Sequence, residues 1–118
     1  MGEPADAPMS SGVIVYRQAD AGLTGIWAHH DLHGRTACEH VSDATLAALA
    51  GTWPVAIWMP DGDDPFFVGT LSFEADGSVW NLHWVGKQGN DRKDAAYRGI
   101  GVMLDEQGIL AASFEPGG

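Results

Sequence analysis

The sequence predicts an all-β protein, a small eight-stranded antiparallel barrel, and three observations point to it. First, bulky apolar residues alternate: Trp80, Leu82 and Trp84 occupy every second position, as do Leu23, Gly25 and Trp27. Side chains of a strand point to opposite faces with period two, so each trio lines one face of a sheet. Second, 16 glycines and six prolines punctuate the 118 residues, and breaks roughly every ten residues suit strands and turns better than helices. Third, Asp76-Gly77 lies between two alternating runs and has the composition of a tight hairpin turn. The length suits one domain. We place it at residues 12–116, behind a flexible N-terminal arm at 1–11.

Val13 to Arg17 is a β-branched and aromatic run, and Gln18 to Gly22 supplies a turn. Leu23 to His30 forms the second strand, Asp31 to Gly34 a second turn, and Arg35 to Val41 the returning strand. Ser42 to Ala50 is the one short helical candidate. Ser42 or Asp43 can cap it, Leu46 and Leu49 sit three apart, and Gly51 stops it; an irregular crossover fits the same residues. Thr52 to Met59 carries Trp53, Val55 and Ile57 on one face, and the segment from Pro60 to Pro65 is a turn by composition. Phe66 to Glu74 and Ser78 to Val85 flank Asp76-Gly77. Gly86 to Asp94 reads as a polar loop, followed by Ala96 to Leu104, a turn at Asp105 to Gly108, and Ile109 to Phe114. Eight strands are enough to close a small barrel without free edges.

Gly12, Ile14, Tyr16, Leu23 and Trp27 recur 57 residues later as Gly69, Leu71, Phe73, Trp80 and Trp84. Only the first and last of these are identities, and an alternating pattern can also produce such matches. A duplication would make the barrel two four-stranded meanders.

Six Lys and Arg against 16 Asp and Glu give a formal charge of −10. Such a surface repels phosphate backbones and argues against nucleic acid as a partner. No apolar run approaches the roughly 20 residues of a membrane span. The N-terminus lacks the basic start and hydrophobic stretch of a signal peptide, so a cytoplasmic protein is expected. A single cysteine, Cys38, excludes an internal disulfide framework.

Several motifs are grouped in the second half: Asp61-Gly62, Phe67-Val68-Gly69, Leu82-His83-Trp84, Tyr97-Arg98-Gly99-Ile100-Gly101 and Leu110-Ala111-Ala112-Ser113-Phe114. Together with Gly25-Ile26-Trp27 and the stretch from Gly34 to Glu39, this pattern resembles a group of small bacterial β-barrel domains. Some of these are described as fibronectin-binding-like, and most have no assigned function. The resemblance covers about 100 residues by glycine and aromatic placement, and it carries no catalytic residue across. Gly25-Ile26-Trp27 is also similar to the Gly-x-Trp of lipocalins and avidins. Lipocalins carry it on the first strand, whereas here it lies on the second. The resemblance implies a calycin-like barrel.

His29, His30 and His33, with Cys38, Glu39 and His40 on the returning strand, form the reactive-looking cluster. Imidazoles suit several metals, but the spacing matches neither a zinc finger nor a zincin, so no metal is expected. The hairpin register decides which groups meet. With Leu32-His33 as central turn residues, His29, Cys38 and His40 share a face with Trp27. A three-residue loop turns Glu39 to that face instead. Cys38 could be a nucleophile with His29 or His40 as base, although a lone cysteine also serves as a small apolar filler.

The leading functional expectation is a barrel that binds an apolar or aromatic small molecule in a cavity lined by Trp27, Trp53, Trp80, Trp84 and Tyr97, with His29 at the rim. Gly99 and Gly101 share the Tyr97 face, leaving room either for curvature or for a ligand. The alternatives are a small cyclase, isomerase or hydrolase using His29, Glu39 or His40 as acid–base groups, and an oligomeric module without ligand, since short apolar barrels can dimerise. No phosphate loop or dinucleotide fingerprint is present, so no cofactor is expected.

Overall fold

A computed structural model describes residues 10–117; residues 1–9 of the expected arm lie outside the described residues. Eight antiparallel strands follow one another round a closed barrel. They are β1 (Gly12–Ala19), β2 (Gly22–His29), β3 (Ala37–Ser42), β4 (Gly51–Ile57), β5 (Phe67–Asp76), β6 (Val79–Gln88), β7 (Lys93–Leu104) and β8 (Ile109–Pro116). β8 closes on β1, with Gly12 opposite Phe114 and Tyr16 opposite Leu110. The alternation sends one parity of each strand inward. Ile14, Tyr16, Leu23, Trp27, Leu71, Phe73, Leu82, Trp84, Tyr97, Leu110 and Phe114 make a continuous core. No helix among the described residues is long and apolar enough to cross a membrane.

Of the two readings of the segment after β3 the structure takes the crossover, and one expected loop comes out differently. Ser42 ends β3, and residues 43–50 form an irregular crossover with one isolated bridge between Thr45 and Ala48, where Asp43 takes a left-handed φ of 66°. A helix of two turns cannot recover its nucleation cost without strong packing. Here the Gln18 side chain supplies what helical hydrogen bonds would, accepting from Leu46 N at 2.8 Å and donating to Ala44 O at 3.3 Å. The only helical residues among those described are one 3-10 turn, His30–Leu32. The expected polar loop at Gly86 to Asp94 is mostly strand: β6 runs to Gln88 and β7 starts at Lys93. Two of its charges, Lys87 and Asp94, form an outward cross-strand ion pair.

Glycines allow the strands to close in. A Cβ on Gly99 would lie 1.9 Å from Ser113 O and 3.2 Å from the Trp84 ring, and one on Gly101 would lie 3.2 Å from Leu110. Of the two readings of these glycines, the structure supports curvature and close packing. The sequence repeat also has a structural counterpart. Ile14 pairs with Trp27, and their counterparts Leu71 and Trp84 pair in the same way.

Candidate functional site

The β2–β3 connection fixes which side of the reactive cluster faces inward. Gly25 pairs with Glu39 and Ile26 with Cys38, so Glu39 shares the interior with Trp27 while Cys38 and His40 look outward. The register that would gather His29, Cys38 and His40 on one face is not formed. The longer connection, with the 3-10 turn and a left-handed His33 (φ 54°), shifts the pairing by one residue and reverses every face. Cys38 is exposed, so neither the filler reading nor a Cys38–His29 pair holds. Among the described residues, no three His, Cys, Asp or Glu side chains converge on a common point.

Glu39 is 2 % exposed. The Tyr16 hydroxyl donates to its Oε2, and Trp84 Nε1 donates to both carboxylate oxygens at 3.3 Å. Gly25, opposite Glu39, makes room for Tyr16, since a Cβ there would stand 3.0 Å from the Tyr16 ring. Burial pushes the Glu39 carboxyl up to about 7, and the bonds from Tyr16 and Trp84 counter only part of this. The Tyr16 hydroxyl is raised well above its ordinary range, by burial and then by the neighbouring Glu39.

Beside this triad lies a small apolar recess lined by Trp27, Ile57, Trp84, Tyr97 and Phe114, with an open volume of about 10 Å³. Phe114 stands edge-on to both indoles, at centroid distances of 5.9 Å from Trp27 and 6.5 Å from Trp84. Trp27 Nε1 donates to Cys38 O at 3.1 Å, and the Tyr97 hydroxyl donates to Gln88. Exposed Arg35 and Asp61 join the 30–36 and 58–66 connections at this end of the barrel.

His29, the last residue of β2, lies one strand step beyond Trp27 towards this end of the barrel. Its ring lies parallel to the Trp27 indole, 5.7 Å away between centroids with an interplanar angle of 5°. Its side chain is 5 % exposed. Nδ1 meets Ser10 Oγ at 3.0 Å and accepts from Asp31 N at 3.4 Å, while Nε2 is buried with no hydrogen-bond partner among the described residues.

The structure therefore brings together Trp27, Glu39, Trp84 and Tyr97, and stacks His29 on Trp27. Trp53 and Trp80 lie apart from them, towards the opposite end. Trp53 Nε1 donates to Leu49 O at 2.9 Å, and Trp80, paired with Ala75 and Gly101, adjoins the Asp76-Gly77 turn. His40 is on the outer face. Tyr16, Ile57 and Phe114 were not singled out from the sequence. The parity of Ile14-Tyr16 was a usable signal for Tyr16, whereas Ile57 and Phe114 reach the site only through barrel closure. No known protein family, curated protein or solved structure matches the chain.

Proposed function

We propose that this protein is a barrel that binds one small apolar or aromatic molecule at the end carrying His29, between Trp27 and Trp84. The observation that carries the reading is Glu39: an ionisable side chain sealed among aromatic rings, beside an apolar recess, with its acidity strongly weakened. An apolar recess with few convergent polar groups and a perturbed titratable residue is the ordinary make-up of a small-molecule site. The present opening of about 10 Å³ is about one water's worth, and a cavity that holds benzene is on the order of 150 Å³. A ring-sized ligand therefore enters by displacing a side chain. Phe114, set between the two indoles on the last strand, is the side chain whose departure frees a ring-shaped space.

The test is tryptophan fluorescence and thermal shift against a library of small aromatic compounds, on the wild type and Trp84→Phe. Binding to the wild type, weakened by about threefold or more in Trp84→Phe as the smaller ring covers less of the ligand and Glu39 loses the indole donor that positions it, is the expected result. If no compound moves either signal, the reading fails.

A second reading, partner binding through the outer wall, is favoured by a separate observation. Ile26, Val15, Ala111 and Val102 are register partners in a row across β2, β1, β8 and β7. Three of them are well exposed, at 55 %, 37 % and 49 % for Ile26, Val15 and Val102. Large exposed apolar patches mark interaction surfaces.

A further inference from the structure

We propose a second binding site, a cleft between the 58–66 connection and the 89–92 turn that takes a free α-amino acid with an apolar side chain. The cleft opens at the same end of the barrel as the aromatic recess but shares no lining residue with it. The inference therefore stands apart from the reading above.

Hydrogen bonds between the two loops build the cleft. Phe66 N donates to Ile57 O at 2.7 Å, and Gly89 N donates to Phe66 O at 2.9 Å, which ties both loops to the strand ends. The Arg92 guanidinium crosses between them and donates to Pro65 O at 3.2 Å. Arg92 itself is left-handed, at φ 51°, a conformation uncommon for residues other than glycine, asparagine and aspartate. Met59 and Phe66 are half-buried and pack against the barrel core, which gives the cleft an apolar floor. Its volume is about 240 Å³, below the roughly 300–1,000 Å³ of sites for drug-sized ligands. An occupant the size of one amino acid fits that scale.

The charges name the class. Asp64 and Arg92 both line the cleft. Neither has an ion-pair partner among the described residues, and they do not pair with each other. Arg35, Lys87 and Arg98, by contrast, each hold an acid. Only one nitrogen of the Arg92 fork is used, by Pro65 O, so the remaining N–H groups are available to a carboxylate. The Asp64 carboxylate only accepts, which suits an ammonium group. A simple anion in the cleft would face Asp64, and a simple cation would face Arg92. A zwitterion answers both, and it brings no net charge into the field of a chain at −10. An α-amino acid carries its carboxylate and ammonium on one carbon, leaving its side chain to cover Met59 and Phe66.

The probes are L-leucine, leucinamide without the carboxylate, isocaproate without the amino group, and glycine without the side chain. Titrations followed by protein-observed NMR read the amides of Gly62, Phe66, Gly89 and Asn90. Leucine should shift these amides and bind about three- to tenfold more tightly than leucinamide or isocaproate, the scale of one charged hydrogen bond at a solvent-facing site. Glycine should bind more weakly than leucine. Arg92→Gln should remove the advantage over leucinamide and keep that over isocaproate, and Asp64→Asn should do the reverse. Both residues are exposed, so both variants should melt close to the wild type. If leucinamide or isocaproate binds the wild type as tightly as leucine, the zwitterion assignment falls. If glycine matches leucine, the apolar floor takes no part and the ligand class is wrong. If leucine moves none of these amides, the site does not exist, whatever the aromatic recess binds.

Discussion

Glu39 couples the site to pH. Its folded-state value, about 7, lies above the ordinary 4.5, so the folded protein holds a proton that the unfolded chain releases between those values. The associated stability is fully present below about pH 4.5, declines as pH rises, and is gone above about 7. The gap corresponds to about 3 kcal/mol. Glu39→Gln keeps the shape and still accepts from Tyr16 and Trp84 through its oxygen. Subtracting its stability curve from the wild-type curve should leave a slope confined to pH 4.5–7, measured by chemical denaturation. Parallel curves would show that Glu39 does not titrate in that window. Gly99→Ala acts by a different route, forcing a methyl against Ser113 O. Overpacking of this kind costs about 1–3 kcal/mol, and the variant should melt earlier with no change in its pH profile.

At the level of elements, strand existence was legible because alternation is a local signal, and all eight strands are found where alternating runs occur. In the run from Gly86 to Asp94 charge alone reads as loop, whereas Lys87 and Asp94 are cross-strand partners that need the hairpin to meet. The site was half legible. Trp27, Trp84 and Tyr97 follow from parity, but whether Glu39 or Cys38 faces them depended on how one loop coils, and spacing alone left both registers open. The crossover at 43–50 was ambiguous because its support comes from Gln18, more than 20 residues earlier. The Gln18 amide reaches Ala19 O, Gly22 O, Ala44 O and Leu46 N. Gln18→Ala strands those crossover groups and should cost about 1–3 kcal/mol. The loss should be concentrated locally, with faster amide exchange at Leu46 while the exchange of β5 and β6 holds.

The whole molecule has two faces of opposite character, an aromatic interior and an outer wall whose β2-β1-β8-β7 sector carries few acids. On that sector Val13, Val15, Ile26, Ile100, Val102 and Leu104 are exposed, and Glu115 is paired with Arg98 at 3.5 Å. A second copy of the chain is the occupant to test first, because an apolar sector can face its own image without charge matching. Four strands spaced about 4.8 Å apart and some six residues long give a footprint of roughly 300 Å², well short of the ~800 Å² per partner of a stable interface. Any dimer through this wall should therefore be weak, with a Kd of micromolar or higher. Because two copies of charge −10 repel, added salt should strengthen it by screening. Sedimentation equilibrium at several protein concentrations, in low salt and in 0.5 M salt, measures both effects. Ile26→Glu and Val102→Glu, which place a carboxylate in the middle of the sector without touching the core, should leave the melting temperature nearly unchanged and keep the protein monomeric. Association that persists in both variants, or that weakens with salt, would assign the contact to another surface.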